Sequence, residues 1–198
     1  DAVTDASCNG APDGQIAFTN ITGGRATETI DISIDGFTNV VNIAKGDDHT
    51  FTNLAAGNYT LQARNAVGDD CVTDLGTFTV NEPALITGTV TDTDITCNGA
   101  NDGEITAAVT GGDAGAKEIS VNGTDWVALP GSITNLAPGM YDVQARNQAT
   151  PNCAVTIQTG VEITEPAVIS GTVTDTDVSC FGAGDGQIDA MVMGGAGG

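Results

Sequence analysis

The strongest constraint on the fold is that the chain repeats itself. Residues 82–97 read EPALITGTVTDTDITC and residues 165–180 read EPAVISGTVTDTDVSC, with twelve of sixteen positions identical. A related run begins at Cys8, so Cys8, Cys97 and Cys180 are equivalent and lie 89 and 83 residues apart. Such repetition is typical of successive copies of one structural unit. We expect a first repeat at 1–83 that lacks its opening strand, a second at 84–166, and a truncated third at 167–198.

Each copy has the composition and patterning of β-structure. The chain contains 27 glycines and 28 threonines, and only 4% of its residues are aromatic, so small and β-branched side chains must build the core. Period-2 alternation bounded by Gly, Asn, Asp and Pro predicts short strands. In the second copy they are expected near 85–96, 104–110, 117–121, 126–135, 140–147 and 154–164. Short, evenly spaced strands favour an all-β sandwich over βαβ units.

The charge excludes two classes of partner. Five Lys and Arg residues oppose 26 Asp and Glu residues, which gives a net charge of −21. Nucleic-acid binding depends on cations that neutralise phosphates, and anionic lipids repel a polyanion, so neither partner is expected. No run of about 20 apolar residues is present, so we expect no direct membrane insertion.

The repeated motifs resemble a known family. The order is Cys-x-Gly-x-x-Asp-Gly-x-Ile, a strand ending in Gly-Gly, Asn-Leu-Ala-x-Gly-x-Tyr, a second Cys, and then Thr-Glu-Pro or Asn-Glu-Pro. This pattern resembles the SprB-type repeats of very large cell-surface adhesins of gliding Bacteroidota. The resemblance implies tandem immunoglobulin-like β-sandwich repeats, export to the cell surface and a role in adhesion or gliding. The copies differ by five additional residues between positions 37 and 50 of the first.

We therefore expect a non-catalytic extracellular array that acts as a structural stalk or adhesin. Its expected partners are neighbouring repeats of the same chain, with surface glycans or other cells as further candidates. One alternative is a glycan- or calcium-dependent binding module, and another is a subunit of a strand-exchanged extracellular filament. His49 is the only histidine and no Gly-x-Ser-x-Gly motif accompanies it, so no enzyme is predicted.

The five cysteines suggest a disulfide framework. Each full copy has an early and a late cysteine, Cys8 with Cys71 and Cys97 with Cys153, while Cys180 lacks its late partner. Bonds are expected within each repeat, with bonds across the Glu-Pro junctions (Cys71–Cys97, Cys153–Cys180) or between other units as alternatives. The preference depends on strand parity. Four intervening strands would leave both cysteines at one end of the sandwich, whereas a fifth would separate them beyond bonding distance. Free thiols are the remaining alternative.

Carboxylates cluster around the early cysteines. Six of them are candidate calcium ligands, since calcium takes six to eight oxygens: Asp92, Asp94, Asp102, Asp175, Asp177 and Asp185. The alternative is that each Asp-Gly pair makes a turn and each Asp-Thr-Asp run is a solvated strand edge. No other cofactor is expected.

Several further residues recur or stand out. Arg64 and Arg146 are equivalent and are expected to form ion pairs or hydrogen bonds. Tyr59 and Tyr141 are expected to bond back to the main chain, as in a tyrosine corner. Gly57 and Gly139 precede these tyrosines, and we expect a positive φ where the chain reverses. Trp126 is expected in the core, with stacking on a sugar as the alternative.

Overall fold

A computed structural model describes residues 1–25, 28–67 and 71–195, and these residues form sixteen strands. The first repeat contains β1 (Ala2–Thr4), β2 (Gly14–Phe18), β3 (Ile30–Ser33), β4 (Val41–Ile43), β5 (His49–Leu54), β6 (Gly57–Asn65) and β7 (Thr73–Val80). The second contains β8 (Ala84–Thr93), β9 (Gly103–Gly112), β10 (Lys117–Ser120), β11 (Val127–Ala128), β12 (Ile133–Leu136), β13 (Gly139–Asn147) and β14 (Val155–Ile163). The third contributes β15 (Ala167–Thr176) and β16 (Gln187–Gly195). Across the described ranges, no helix is long and apolar enough to cross a membrane.

The two full repeats have the same sheet topology. In the first, a three-stranded sheet has the order β1-β2-β5 and a four-stranded sheet has the order β4-β3-β6-β7. In the second, the corresponding orders are β8-β9-β12 and β11-β10-β13-β14. Every pair whose register is resolved is antiparallel, and β15 pairs with β16 as a hairpin. The predicted all-β repeat fold is confirmed. The fourth strand pairs with the third, whereas constant-type immunoglobulin domains place it in the other sheet.

Both sheets of the first repeat bury aliphatic side chains against one core. Ile16 of β2, Ile32 of β3 and Leu61 of β6 are each at most 2% exposed. Strand side chains alternate between two faces, so one face of each strand faces the core and the other faces solvent. Burying an aliphatic side chain of this size stabilises a fold by about 1.5–3 kcal/mol. Isoleucine is the commonest buried residue of this core, and Phe18 packs edge-on against Phe51 and Phe78 within it.

The second repeat also buries aliphatic side chains from both sheets, but in two clusters. Its fully buried residues include Ile105 of β9, Ile119 of β10 and Val143 of β13, which are all 0% exposed. The hairpin of the third repeat differs, since Ile188 is 76% exposed although it is the sequence equivalent of Ile105. The same sequence position is therefore buried only where the sheets of a complete repeat surround it.

The chain divides into two compact units. The first comprises Asp1–Leu85 with two short segments, Gly111–Gly115 and Ala149–Cys153. The second comprises Ile86–Thr110, Ala116–Gln148 and Ala154–Gly198. The main division falls close to the end of the first repeat. By sequence both added segments belong to the second repeat: the first is the end of β9 with the loop after it, and the second is part of the loop after β13.

Two predictions about strands need correction. The first repeat keeps a short opening strand, because β1 pairs with β2 over three residues. The single strand predicted at 126–135 is two strands, β11 and β12, which belong to different sheets. Pro130 and Gly131 lie between them, and proline cannot donate to a β-ladder. The segment therefore leaves one sheet and enters the other.

The tyrosine prediction is confirmed in both repeats. The Tyr59 hydroxyl donates to the backbone carbonyl of Ala55 at 2.8 Å, and that of Tyr141 donates to the carbonyl of Ala137 at 2.9 Å. Each tyrosine therefore fixes the turn that leads into its own strand, as a tyrosine corner does.

The glycine prediction for the same turn is wrong. Gly57 and Gly139 do not have a positive φ, whereas the upstream residues Asn53 and Asn135 have φ values of 59° and 61°. Asparagine tolerates the left-handed conformation better than most non-glycine residues, because its short polar side chain can bond locally. Asn53 lies within β5 and Asn135 within β12, where each strand shifts register against its partner. The positive φ therefore falls in a bulge just before the reversal, and the two glycines adopt conformations that other residues can adopt.

Candidate functional site

The candidate site is the loop that carries each early cysteine. We call these the Cys loops: residues 7–13, 96–102 and 179–185. In each, the backbone N–H three residues after the cysteine donates to the cysteine carbonyl, at 3.1, 3.0 and 3.1 Å. Gly10, Gly99 and Gly182 have φ values of 74°, 78° and 80°, which is the left-handed region that favours glycine. The Cys-x-Gly motif therefore encodes one turn three times.

An aspartate closes each Cys loop. In the second repeat the Asp102 carboxylate accepts hydrogen bonds from the Thr96 backbone N–H at 3.0 Å and from its hydroxyl at 2.6 Å. Asp13 accepts the same two bonds from Ser7, and Asp185 accepts the backbone N–H of Ser179 at 3.0 Å. In all three loops the hydroxyl and then the backbone N–H of this Ser or Thr hold the pKa of the aspartate below its usual value.

The first two Cys loops are tied to the Glu-Pro pair that ends the same repeat. The backbone N–H of Gly99 donates to the Glu165 carboxylate at 2.8 Å, and the side-chain amide of Asn98 donates to the Pro166 carbonyl at 3.1 Å. In the first repeat, Gly10 donates to Glu82 at 2.6 Å and Asn9 donates to the Pro83 carbonyl at 3.1 Å. This role of glutamate and asparagine was not predicted from the sequence. The recurring Glu-Pro motif was the available signal.

A second connection joins the start and end of each repeat. The backbone N–H of Thr164 donates to the Asp94 carboxylate at 2.7 Å, and the N–H of Ile95 donates to the Thr164 carbonyl at 3.0 Å. Hydrogen bonds to the Asp94 carboxylate from the backbone N–H of Thr164 and then from its side-chain hydroxyl lower the pKa of Asp94. Asp5 accepts the backbone N–H of Asn81 at 2.8 Å in the first repeat. One member of the Asp-Thr-Asp run thus closes its repeat.

The six proposed calcium ligands fall into three groups. Asp102 and Asp185 close Cys loops, and Asp94 binds the end of its repeat. The other three are exposed: Asp92 near the end of β8, Asp175 near the end of β15, and Asp177 just after β15. Within the described ranges, no three His, Cys, Asp or Glu side chains lie close enough to hold a metal ion. Calcium binding stays a prediction.

The disulfide pairing differs from the one expected. Cys8 is bonded to Cys153, with 5.4 Å between the Cα atoms, while Cys71, Cys97 and Cys180 are free and exposed. The early cysteine of the first repeat is thus joined to the late cysteine of the second. The expected bonds within each repeat, Cys8–Cys71 and Cys97–Cys153, do not form. The observed bond belongs to the third alternative, a bond between other units.

The number of strands between the two cysteines explains why Cys97 and Cys153 do not bond. Because β11 and β12 are separate strands, five strands rather than four lie between Cys97 and Cys153. β9 begins beside the Cys97 loop, and β10 starts with Lys117 soon after the opposite end of β9. Asn147, the last residue of β13, pairs with Lys117, so the chain leading to Cys153 starts from that opposite end. Ten strand residues at about 3.3 Å each span roughly 30 Å. That distance far exceeds the reach of a disulfide.

The recurring arginines form the predicted ion pairs. The Arg146 guanidinium lies 2.6 Å from the Glu118 carboxylate, and that of Arg64 lies 3.4 Å from Asp31. Arg146 also stacks on Trp126, with 3.8 Å between its guanidinium carbon and the ring centre. Trp126 is half-buried beneath this cation, so the expectation of a core tryptophan is wrong. Its ring nitrogen donates to the Gly123 carbonyl at 3.2 Å.

These features define a class of protein: an all-β tandem-repeat protein whose recurring polar residues connect the beginning of each repeat to its end. The SprB repeat family model matches residues 89–115 and 172–198. Each match begins within the strand before a Cys loop, β8 or β15, and continues through the loop and the following strand. The predicted resemblance to SprB-type repeats is thereby confirmed. The SprB repeat is a structural repeat of cell-surface proteins. The chain matches none of the curated proteins.

Proposed function

We propose that this chain is part of a non-catalytic extracellular array that acts as a structural stalk or adhesin at the cell surface. The observation that carries the proposal is the SprB repeat match at equivalent positions of two successive copies. Surface display and repetition favour a role in which length and spacing matter, because successive copies extend a chain from one attachment point.

The use of the recurring polar residues supports a structural role. Asp13 and Asp102 close Cys loops, Glu82 and Glu165 bind those loops, and Arg146 pairs with Glu118. A site evolved to bind a small ligand in every repeat would leave equivalent polar groups directed at solvent. Here the recurring groups of the Cys loops, the Glu-Pro pairs and the arginine ion pair bond to one another or to the backbone, whereas Asp92 and its equivalent Asp175 are exposed.

The surface of the strands also suits an exposed array. Threonine hydroxyls pair across neighbouring strands, at 3.1 Å between Thr60 and Thr77 and at 2.6 Å between Thr91 and Thr106. Such cross-strand pairs stabilise a solvated sheet face. With a net charge of −21, the chain also carries enough like charge to resist self-association.

Surface display can be tested on intact cells that express the parent protein. An antibody raised against the purified chain should label cells without permeabilisation, and added protease should abolish the signal. An antibody against a cytoplasmic protein should label only permeabilised cells. Labelling of this chain only after permeabilisation would contradict the proposal.

The adhesive part of the proposal needs its own measurement. Monovalent Fab fragments of the same antibody should reduce attachment of cells to a glass or polysaccharide surface. A non-binding Fab at equal concentration is the control. If attachment is unchanged although the Fab saturates its sites on the cell surface, the chain acts as a stalk rather than as an adhesin.

A further inference from the structure

The free cysteines of the chain are equivalent to the bonded ones. Cys8, an early cysteine, is bonded to Cys153, the late cysteine of the following repeat. Cys97 is the early cysteine of the second repeat, and it is free and exposed. Its counterpart one repeat along would be the late cysteine of a complete third repeat. The observed bond thus defines a pairing register, in which an early cysteine bonds to the late cysteine of the next repeat.

The loop around Cys97 has the conformation of the loop around Cys8. The closing hydrogen bond to the cysteine carbonyl is 3.0 Å long in one loop and 3.1 Å in the other. Gly99 and Gly10 have φ values of 78° and 74°. Both loops are also held by the carboxylate of the glutamate that precedes proline at the end of their own repeat. Cys97 therefore lies in a loop with the same backbone conformation as the loop of Cys8, which forms a disulfide.

Competing partners for Cys97 are poorly placed. Cys153 is already bonded to Cys8 and follows an odd number of strands after the Cys97 loop. Cys180 is itself an early cysteine, in the Cys loop of the third copy. Neither has the early-to-late relation of the observed bond.

We propose that Cys97 forms a second repeat-to-repeat disulfide, with the late cysteine of a complete third repeat. The same rule assigns Cys71 to the early cysteine of a repeat that precedes the first. Bond formation removes one proton and one electron from each thiol. A disulfide oxidant accepts both electrons and both protons and becomes two thiols. The rule concerns pairing within an array and does not depend on adhesion.

The test completes the third repeat on the full chain. A second copy of residues 116–166 is attached after Gly198, and the protein is oxidised with a glutathione disulfide buffer. Non-reducing digestion and mass spectrometry should find Cys97 joined to the added copy of Cys153. Thiol labelling should fall from the three free cysteines of the original chain to two, Cys71 and Cys180.

The control is the same extended chain with a Cys→Ser substitution at the added cysteine, in which Cys97 should remain free. The Cys8–Cys153 peptide in the same digest reports whether the first two repeats have folded in the observed register. A free Cys97, or Cys97 joined to Cys153 or Cys180, in a sample that contains this peptide would overturn the rule. Absence of the Cys8–Cys153 peptide would overturn the register on which the rule is based.

Discussion

Ser33 and Ser120 show how much of this fold depends on single polar atoms. Both are fully buried, and they occupy equivalent positions in the Ile-Ser-Ile-Asp-Gly and Ile-Ser-Val-Asn-Gly motifs. The Ser120 hydroxyl oxygen accepts the backbone N–H of Gly123 at 2.9 Å and that of Asn122 at 3.2 Å. The turn after β10 is therefore built around a side chain rather than around a backbone acceptor.

Removing that acceptor should be costly. Ser120→Ala removes the acceptor of two turn N–H groups that belong to exposed residues, and a hydrogen bond of this kind contributes about 0.5–1.5 kcal/mol net. We expect a loss of that size in urea denaturation. Ser170→Ala, at an exposed position of β15, is the matched control and should change stability by less than about 0.5 kcal/mol. Equal effects of the two substitutions would contradict this role for Ser120.

Acid should destabilise the first repeat through Asp35. Hydrogen bonds from the hydroxyl of Ser33, and then from the backbone and side chain of Asn39, lower the pKa of Asp35 to about 2. A carboxyl whose folded pKa lies below its unfolded value of 3.8 stabilises the fold above about pH 4. That contribution is lost as the pH falls from about 4 towards 2.

The second repeat supplies the variant that tests this dependence, because Asn122 occupies the position equivalent to Asp35. We expect Asp35→Asn to fold and to reduce the difference between urea midpoints measured at pH 5 and pH 2.5. Asp189→Asn, on the exposed strand β16, should leave that difference unchanged. The same difference in all three proteins would assign the acid sensitivity to other carboxylates.

At the Cys loop, the hydrogen bond from Gly99 to Glu165 is expected to stabilise the second repeat. Glu165→Ala removes the acceptor, and a hydrogen bond of this kind contributes about 0.5–1.5 kcal/mol. Thermal unfolding should show a lower midpoint than Glu162→Ala, which removes an exposed glutamate from β14. If the two variants melt alike, the Glu-Pro motif is conserved between the copies for another reason.

At the scale of the strands, the sequence predicted much of the fold and missed the crossing between sheets. Alternation predicted β9, β10, β13 and β14 to within about two residues, because solvent faces one side of each strand. The split at Pro130 was missed because apolar residues continue on both sides of it. That one missed break changed the strand parity and, with it, the expected cysteine pairing.

The bulge near the end of β12 offers an element-scale test. Asn135 has a φ of 61°, where a β-branched residue is strained. Asn135→Val should therefore destabilise the second repeat by about 1–3 kcal/mol, and Asn135→Gly should cost much less. Gly139→Ala should be tolerated, because its new Cβ would meet the Tyr141 ring at an ordinary 3.8 Å. A tolerated Asn135→Val would show that the bulge can re-form in another conformation.

For the whole molecule, the Cys8–Cys153 bond is the main departure from the expectation of independent repeats. The two cysteines are 145 residues apart in sequence. In the chain-entropy model, closing a loop of this length stabilises the folded protein by about 5 kcal/mol. We expect a reducing agent to lower the melting temperature, and Cys8→Ser to do the same without a reducing agent. Cys180→Ser, which removes a free thiol, should leave the melting temperature unchanged.

The position of that bond also determines how the chain would respond to mechanical tension. Pulled from its two ends, the chain transmits force through the sulfur–sulfur bond, so the residues between Cys8 and Cys153 are bypassed. At about 3.5 Å per extended residue, roughly 500 Å of contour length is withheld. A single-molecule pulling experiment should record that length only after reduction. A cell attached to a surface through such a chain would gain a tether that keeps its length under load in an oxidising medium and lengthens in a reducing one.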